Sequence, residues 1–245
     1  MKTRDEQMPE VLLGQLGLIP YDQAMALEDG LRRQRYAGGL PDIVLIMEHP
    51  PTVTLGRFGK SEHILASREE LTKRGIAFFN SDRGGDTTFH APGQLVLHVV
   101  MDIRRRQGLL RGFITDLEEV AIHMLTSYGV VAERWSEHPG LWIDGRQMGA
   151  IGLHLGHGIT SHGLALNIDP ELSSFGVINL CGLPGREATS LVRELGHSVD
   201  IKQAAQRLVD SFAAVFRVKP VSVTGPYLAE RAAMAVASSC QGSTS

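Results

Sequence analysis

RGGDTTFHAPGQLVLHVVMDI, from Arg83 to Ile103, joins a glycine-rich segment bearing charges and hydroxyls to a long apolar run. The apolar half, Gln94 to Ile103, predicts a strand from its length and β-branched content. Gly84 and Gly85 permit positive φ or close backbone approach, and Pro92-Gly93 fixes a turn ahead of the strand. Arg83 to His90 therefore reads as a connection, positioned by a rigid sheet, that sets a guanidinium, a carboxylate and two hydroxyls where a ligand could meet them. A tight structural loop is the other reading of the same residues.

Working outward, Tyr21, Ala24, Leu27 and Leu31 recur at helical spacing, so Tyr21 to Tyr36 predicts an amphipathic helix. Ile43 to His49 is a short apolar run stopped by Pro50 and Pro51, the pattern of a buried strand, and a loop follows through Gly56 and Gly59. Ser67 with Glu70 three residues later caps a short helix ending near Gly75, and Ile76 to Asn80 reads as another strand. Leu109 to Tyr128 predicts a helix stopped by Gly129, and Ile201 to Phe216 predicts a last helix. Between them VVAERW, GLWIDG, GAIGLHL and ITSHGLALNI are separated by turn residues and read as an antiparallel meander. No repeat or linker divides the chain, so the expectation is an α/β single domain, with helices on one mixed β-sheet, over residues 1–220. Residues 221–245 are expected to form an extension whose small, polar tail ASSCQGSTS lacks order.

Composition narrows the function. The 245 residues are 43% hydrophobic, enough for one sizeable core, and the formal charge of −3 provides no global field for nucleic acid. No apolar run approaches a membrane span, and the acids early in MKTRDEQMPE argue against a targeting leader, so a cytoplasmic protein is expected. The two cysteines, Cys181 and Cys240, cannot build a disulfide framework and read as free thiols.

Cys181 lies at a glycine-rich bend, NLCGLPG, ahead of a helix start at Thr189 that would lend it partial positive charge. Such a thiol is a candidate nucleophile for acyl transfer through a thioester, and a buried inert cysteine is the alternative. Three histidines follow Gly152, but His154 and His157 point to opposite faces of an extended strand, so no metal site is read here. His162, anchored by Gly163 and the run Leu164 to Leu166, is either a functional group or a hydrogen-bonded structural histidine.

Taken together these segments resemble the octanoyltransferases of the lipoate pathway. The likeness spans about Gly17 to Lys219 and rests on EHPPTVTLGR (48–57), RGGDTTFHAPGQ (83–94), GAIG (149–152), SHGLALN (161–167), INLCG (178–182) and TSL (189–191). The resemblance implies a biotin/lipoate ligase-like fold and an octanoyl thioester on Cys181. It also implies a substrate cleft lined by Arg83, Gly84, Gly85, Asp86, Thr87, Thr88, Phe89 and His90, by Ala150, Ile151 and Gly152, and by Gly163, Leu164 and Ala165. The implied partners are octanoyl-acyl carrier protein and the lipoyl domains of 2-oxoacid dehydrogenase or glycine cleavage proteins, with no cofactor. Gln147 stands where the family carries a lysine, and Leu180 where it carries a proline. An amide cannot accept a proton near neutral pH, which leaves His162 and His90 as candidate bases. An ATP-dependent lipoate ligase-like enzyme and a non-catalytic acyl-binding homologue are the competing readings. Arg104, Arg105, Arg106 and Arg111 form the densest basic cluster, a docking surface for acidic partners or a solvated patch.

Overall fold

The structure, a computed structural model, describes residues 8–104 and 109–240, with backbone alone for 109 and 236–240. In chain order the elements are β1 (Glu10–Leu18), α1 (Tyr21–Tyr36), β2 (Ile43–Glu48), β3 (Thr52–Leu55), α2 (Arg68–Lys73), β4 (Ala77–Asn80), β5 (Thr87–His90) and β6 (Gln94–Val100). Then come α3 (Leu109–Thr126), β7 (Glu133–Arg134), β8 (Gly140–Ile143), β9 (Arg146–Gly156), β10 (Ile159–Asn167), α4 (Leu191–Leu195), α5 (Ile201–Phe216), β11 (Lys219–Val223) and α6 (Gly225–Cys240).

An eight-stranded mixed sheet runs β11-β1-β2-β6-β10-β9-β8-β7. Its first two pairings, β11 with β1 and β1 with β2, are parallel, and the rest are antiparallel. The alternation of side chains along a strand divides the core in two. Val44, Ile46, Leu95, Leu97 and Val99 face α3 and α5, where they meet Phe113, Leu117, Leu208 and Phe212. Ile43, Leu45, Met47, Val96 and Val100 face the other way, onto Ala24 and Leu31 of α1 and Leu228 and Ala232 of α6. His98 belongs to this second face by period and meets Glu28 of α1 there.

Two corrections to the sequence reading matter for the site. The strands do not share one sheet: β4, β3 and β5 form a separate three-stranded sheet. Within it Thr87 to His90, expected in a connection, is strand β5, paired antiparallel with β3. Also, β1, β3 and the elements after Phe216 were not anticipated. The backbone of α6 carries through Cys240, so the first part of the tail expected to lack order is helical. Residues 241–245 lie outside the described residues.

Strand β10 is buried along its whole length between β6 and β9. A methyl group added at Gly163 would lie 2.2 Å from the carbonyl oxygen of Leu97, so this position accepts no side chain without moving a strand. Gly163→Ala is expected to destabilise the protein by about 1–3 kcal/mol, at the upper end because the obstacle is backbone. A urea unfolding midpoint unchanged by the substitution would contradict this packing.

Candidate active site

A cleft opens where β5 of the small sheet meets β6, β9 and β10 of the large one. Arg83, Gly85, Asp86, Thr87, Thr88 and His90 line one side, and Ala150 to Gly152 with His162 to Ala165 line the other. Cys181 also lines it, together with three residues the sequence did not single out, Tyr21, Val96 and His98. Phe89 is a correction: β5 alternates, so its ring turns away from the cleft and packs edge-on against Phe175, with centroids 5.1 Å apart. Gly84 serves through its backbone, donating from N to the Leu153 carbonyl at 2.8 Å, which ties the loop to β9.

Cys181 sits in a short turn, Leu180–Gly182, with φ of 51°, a left-handed conformation that costs a non-glycine residue about 1–3 kcal/mol. Its surroundings hold it there. Leu180 is buried in the core of the small sheet. The Asn179 amide donates to the His63 carbonyl at 2.8 Å, and the Asn179 carbonyl accepts from Thr87 Oγ1 at 2.7 Å. The thiol is half-buried, and Gln147 Nε2 donates to its Sγ at 3.0 Å. Burial pushes the thiol up from its ordinary value, while the Gln147 hydrogen bond and the Arg83 charge oppose the shift and Asp86 adds to it. The helix expected at Thr189 begins at Leu191 and is five residues long.

Arg83 is buried and makes no ion pair with the loop it organises. Its guanidinium donates to Thr54 Oγ1, to the Thr54 carbonyl at 2.9 Å, to the Asp86 carbonyl at 2.7 Å and to the Gly84 carbonyl at 3.0 Å. These bonds fold residues 83–86 onto β3 and leave a fixed positive charge facing the cleft.

The two histidines read as candidate bases are committed elsewhere. His90 Nδ1 bonds Gln94 Oε1 at 2.7 Å, and burial with the neighbouring His49 holds its pKa well below 6.5, so it is neutral. Gln94 passes the network on, donating to Asn167 Oδ1 at 2.9 Å, while Asn167 donates to the Thr189 carbonyl at 3.0 Å. The HAPGQ, ALN and TSL segments thus meet in one hydrogen-bonded chain. His162, in a left-handed conformation at φ 59°, bonds Asp82 Oδ1 through Nε2 at 2.7 Å. That bond brings the Asp82 carboxyl down to about 2. The His162 amide donates to Glu28 Oε1 at 2.7 Å, and Glu28 Oε2 lies 3.2 Å from His98 Nδ1. Burial alone would raise the Glu28 carboxyl, but His98 and His162 outweigh it and hold the group below 4.5.

Among the described residues, Glu28, His98 and His162 are the set whose donor atoms lie close enough, within 4.8 Å of one another, to reach a common cation. Of the basic cluster, Arg104 is paired with Asp102, Arg111 is exposed, and Arg105 and Arg106 lie outside the described residues. No helix among the described residues is long and apolar enough to cross a membrane.

Residues 20–213 match the family described as Lipoyl protein ligase A/B catalytic domain. An octanoyltransferase of Chloroflexus aggregans is 42% identical over 210 residues, covering 84% of this chain and 95% of that protein. An octanoyltransferase of Nitratidesulfovibrio vulgaris is 45% identical over 202 residues, covering 82% and 92%. In three dimensions the chain is similar to a bi-partite lipoate protein ligase solved with its E2 lipoyl domain from Thermoplasma acidophilum. The TM-score is 0.72 at 16% identity, over 94% of this chain and 91% of that one, a likeness of fold. With the cysteine turn, the RGG loop and the hydrogen-bonded chain from His90 to Thr189 all in place, this chain belongs to the lipoyl protein ligase A/B catalytic domain family, on its octanoyltransferase branch.

Proposed function

We propose that the protein moves an octanoyl group from octanoyl-acyl carrier protein to a lysine of a lipoyl domain, through a thioester on Cys181. The observation that carries this reading is a strained, left-handed cysteine, clasped from three sides, whose sulfur lines an apolar-walled cleft. Val96, Ile151, Leu164 and Ala165 provide the surface an acyl chain needs, and the Arg83 charge favours the thiolate over the thiol. In the first half, Sγ attacks the donor carbonyl, the new S–C bond forms and the carrier thiol leaves. In the second, the lysine amine attacks the thioester, the N–C bond forms and Sγ departs. No ATP is consumed, because the donor is already a thioester. An acyl carrier protein as donor gives the reaction a cytoplasmic setting.

Incubation with octanoyl-carrier protein, with and without a lipoyl domain, tests the reading by intact mass of all three proteins. The expected result is ATP-independent transfer to the acceptor; its absence would overturn the reading.

Gln147 limits the reaction in one respect. Its amide donates a hydrogen bond to the sulfur but brings no charge, so it stabilises a thiolate less than an ammonium would. Gln147→Lys is expected to raise the rate at pH 7 by about tenfold, the effect of lowering the thiol by one pKa unit. An unchanged rate would show that charge at this position does not limit the reaction.

A further inference from the structure

Gln147 donates to the sulfur and Arg83 is a cation, so neither takes a proton from it at neutral pH. The remaining group set against the thiol is Asp86, and Asp86 is joined to an imidazole. Its Oδ2 lies 2.8 Å from His63 Nδ1, while its Oδ1 accepts from the Thr87 amide at 2.7 Å, so the carboxylate is fixed at both oxygens. This fixing assigns the His63 tautomer: Nδ1 carries the proton toward the carboxylate and Nε2 is left as the acceptor.

The backbone ties this pair to the cysteine turn. Ile64 pairs antiparallel with Ile178, and the His63 carbonyl accepts from the Asn179 amide, two residues before Cys181. Gly182, the residue after Cys181, has φ of +73°, and a methyl group added there would lie 2.7 Å from Asp86 Oδ2 and 2.8 Å from His63 Nδ1. The imidazole and carboxylate are therefore packed onto the cysteine turn, and glycine is what leaves them room. The other ionisable groups around the ring are Glu62, whose carboxylate is 4.0 Å from Nε2, and Lys60, paired with Glu62 at 3.8 Å. Arg83 holds the Asp86 carbonyl from the opposite side.

We propose that His63, oriented by Asp86, is the proton acceptor and donor of the acyl transfer, in the role that Gln147 cannot perform. The proposal rests on the reading of Cys181 as the acyl carrier. The ring lies against Gly182, the residue next to Cys181, and for this role its Nε2 must reach the sulfur directly or through one water, the range over which a base acts. In the first half-reaction the Cys181 S–H proton passes to His63 Nε2 as the S–C bond forms, and His63 returns it to the departing carrier thiolate. In the second, the attacking neutral amine gives its proton to His63 as the N–C bond forms, and the Cys181 thiolate takes that proton as its bond to carbon breaks. No oxidant, metal or nucleotide enters the balance.

The test measures octanoyl transfer and, separately, alkylation of Cys181 by iodoacetamide at pH 7. His63→Gly and His63→Ala are expected to slow transfer about a hundredfold, the lower range for loss of a general base. They should slow alkylation about tenfold, and added imidazole should restore both rates in His63→Gly. Asp86→Asn, which keeps the shape but not the charge, should fall between. Adding Gln147→Lys to His63→Ala should recover transfer, which also shows that the variant is folded. Rates within twofold of wild type in the His63 variants would overturn the proposal, as would a loss that neither imidazole nor Gln147→Lys repairs. If the unmodified protein accepts no octanoyl group while alkylation still depends on His63, the acyl reading fails and the base assignment stands.

Discussion

Cys181→Ser is expected to abolish octanoyl transfer, with a loss of about 10³-fold or more, and to leave the fold intact. The two side chains differ by one atom, and the turn is held by Leu180, by the Asn179 backbone bonds and by packing of Gly182, none of which involves the sulfur. A serine hydroxyl ionises far less readily than a thiol, and the hydrogen bond from Gln147 supplies only a donor to it. The burial that pushes the Cys181 thiol up would disfavour an alkoxide still more. Steady-state transfer to a lipoyl domain, together with a thermal unfolding midpoint, checks both halves. A serine variant that transfers within tenfold of wild type would show that the sulfur does not carry the acyl group.

Glu28→Ala is expected to cost about 3–5 kcal/mol of stability. The carboxylate is fully enclosed, accepting from the His162 amide and facing His98 Nδ1. Removing it strands the buried His162 N–H, at about 1–3 kcal/mol, takes away the charge that faces His98, and opens a void beneath β10 and β6. In a chain of this size the melting temperature should drop by about 10 °C. Glu28→Gln keeps an acceptor for the amide and should lose less. The pH dependence follows from the depressed carboxyl. A group more acidic when folded contributes stability above its unfolded pKa and loses it as pH falls through the folded value. The gap between wild type and Glu28→Gln should therefore be full at pH 7 and shrink below about pH 4.5. Equal urea midpoints for wild type and Glu28→Ala at pH 7 would contradict the buried network.

Helices α1, α3 and α5 were legible because their apolar residues keep a helical period on the face that packs against the sheet; α1 and α5 begin and end where that period does. Ser67 was legible as a cap, and its Oγ accepts from the Glu70 amide. The meander from β7 to β10 was legible from its turn residues. Other elements lacked such signals. β1 is interrupted by Gly14 and Gly17 and is completed only by parallel neighbours, β2 and β11, far away in the chain. β3 is four residues long behind two prolines, and β5 is hidden in a segment whose glycines and hydroxyls suggest a loop.

The site divides in the same way. Cys181 and the Arg83 loop were visible from local motifs, whose signal is residue type within a few positions, and Gln147 from the family resemblance alone. Their partners were not. Asp82 and His162 are 80 residues apart, Glu28 and His162 are 134 apart, and His63 and Asp86 are 23 apart. Each pair exists only once the fold has brought together segments that are distant in the chain. The same convergence commits His162 to Asp82, whereas His90 meets Gln94 four residues on, across the Pro92-Gly93 turn.

The proposed reaction turns on covalent attachment at one sulfur, and peptide-resolved mass spectrometry measures that directly. After a single turnover with octanoyl-carrier protein, the peptide containing Cys181 should carry one octanoyl group and should lose it when a lipoyl domain is added, as the acceptor lysine gains it. An acceptor that becomes octanoylated while the Cys181 peptide stays unmodified at every time point would contradict a thioester on Cys181.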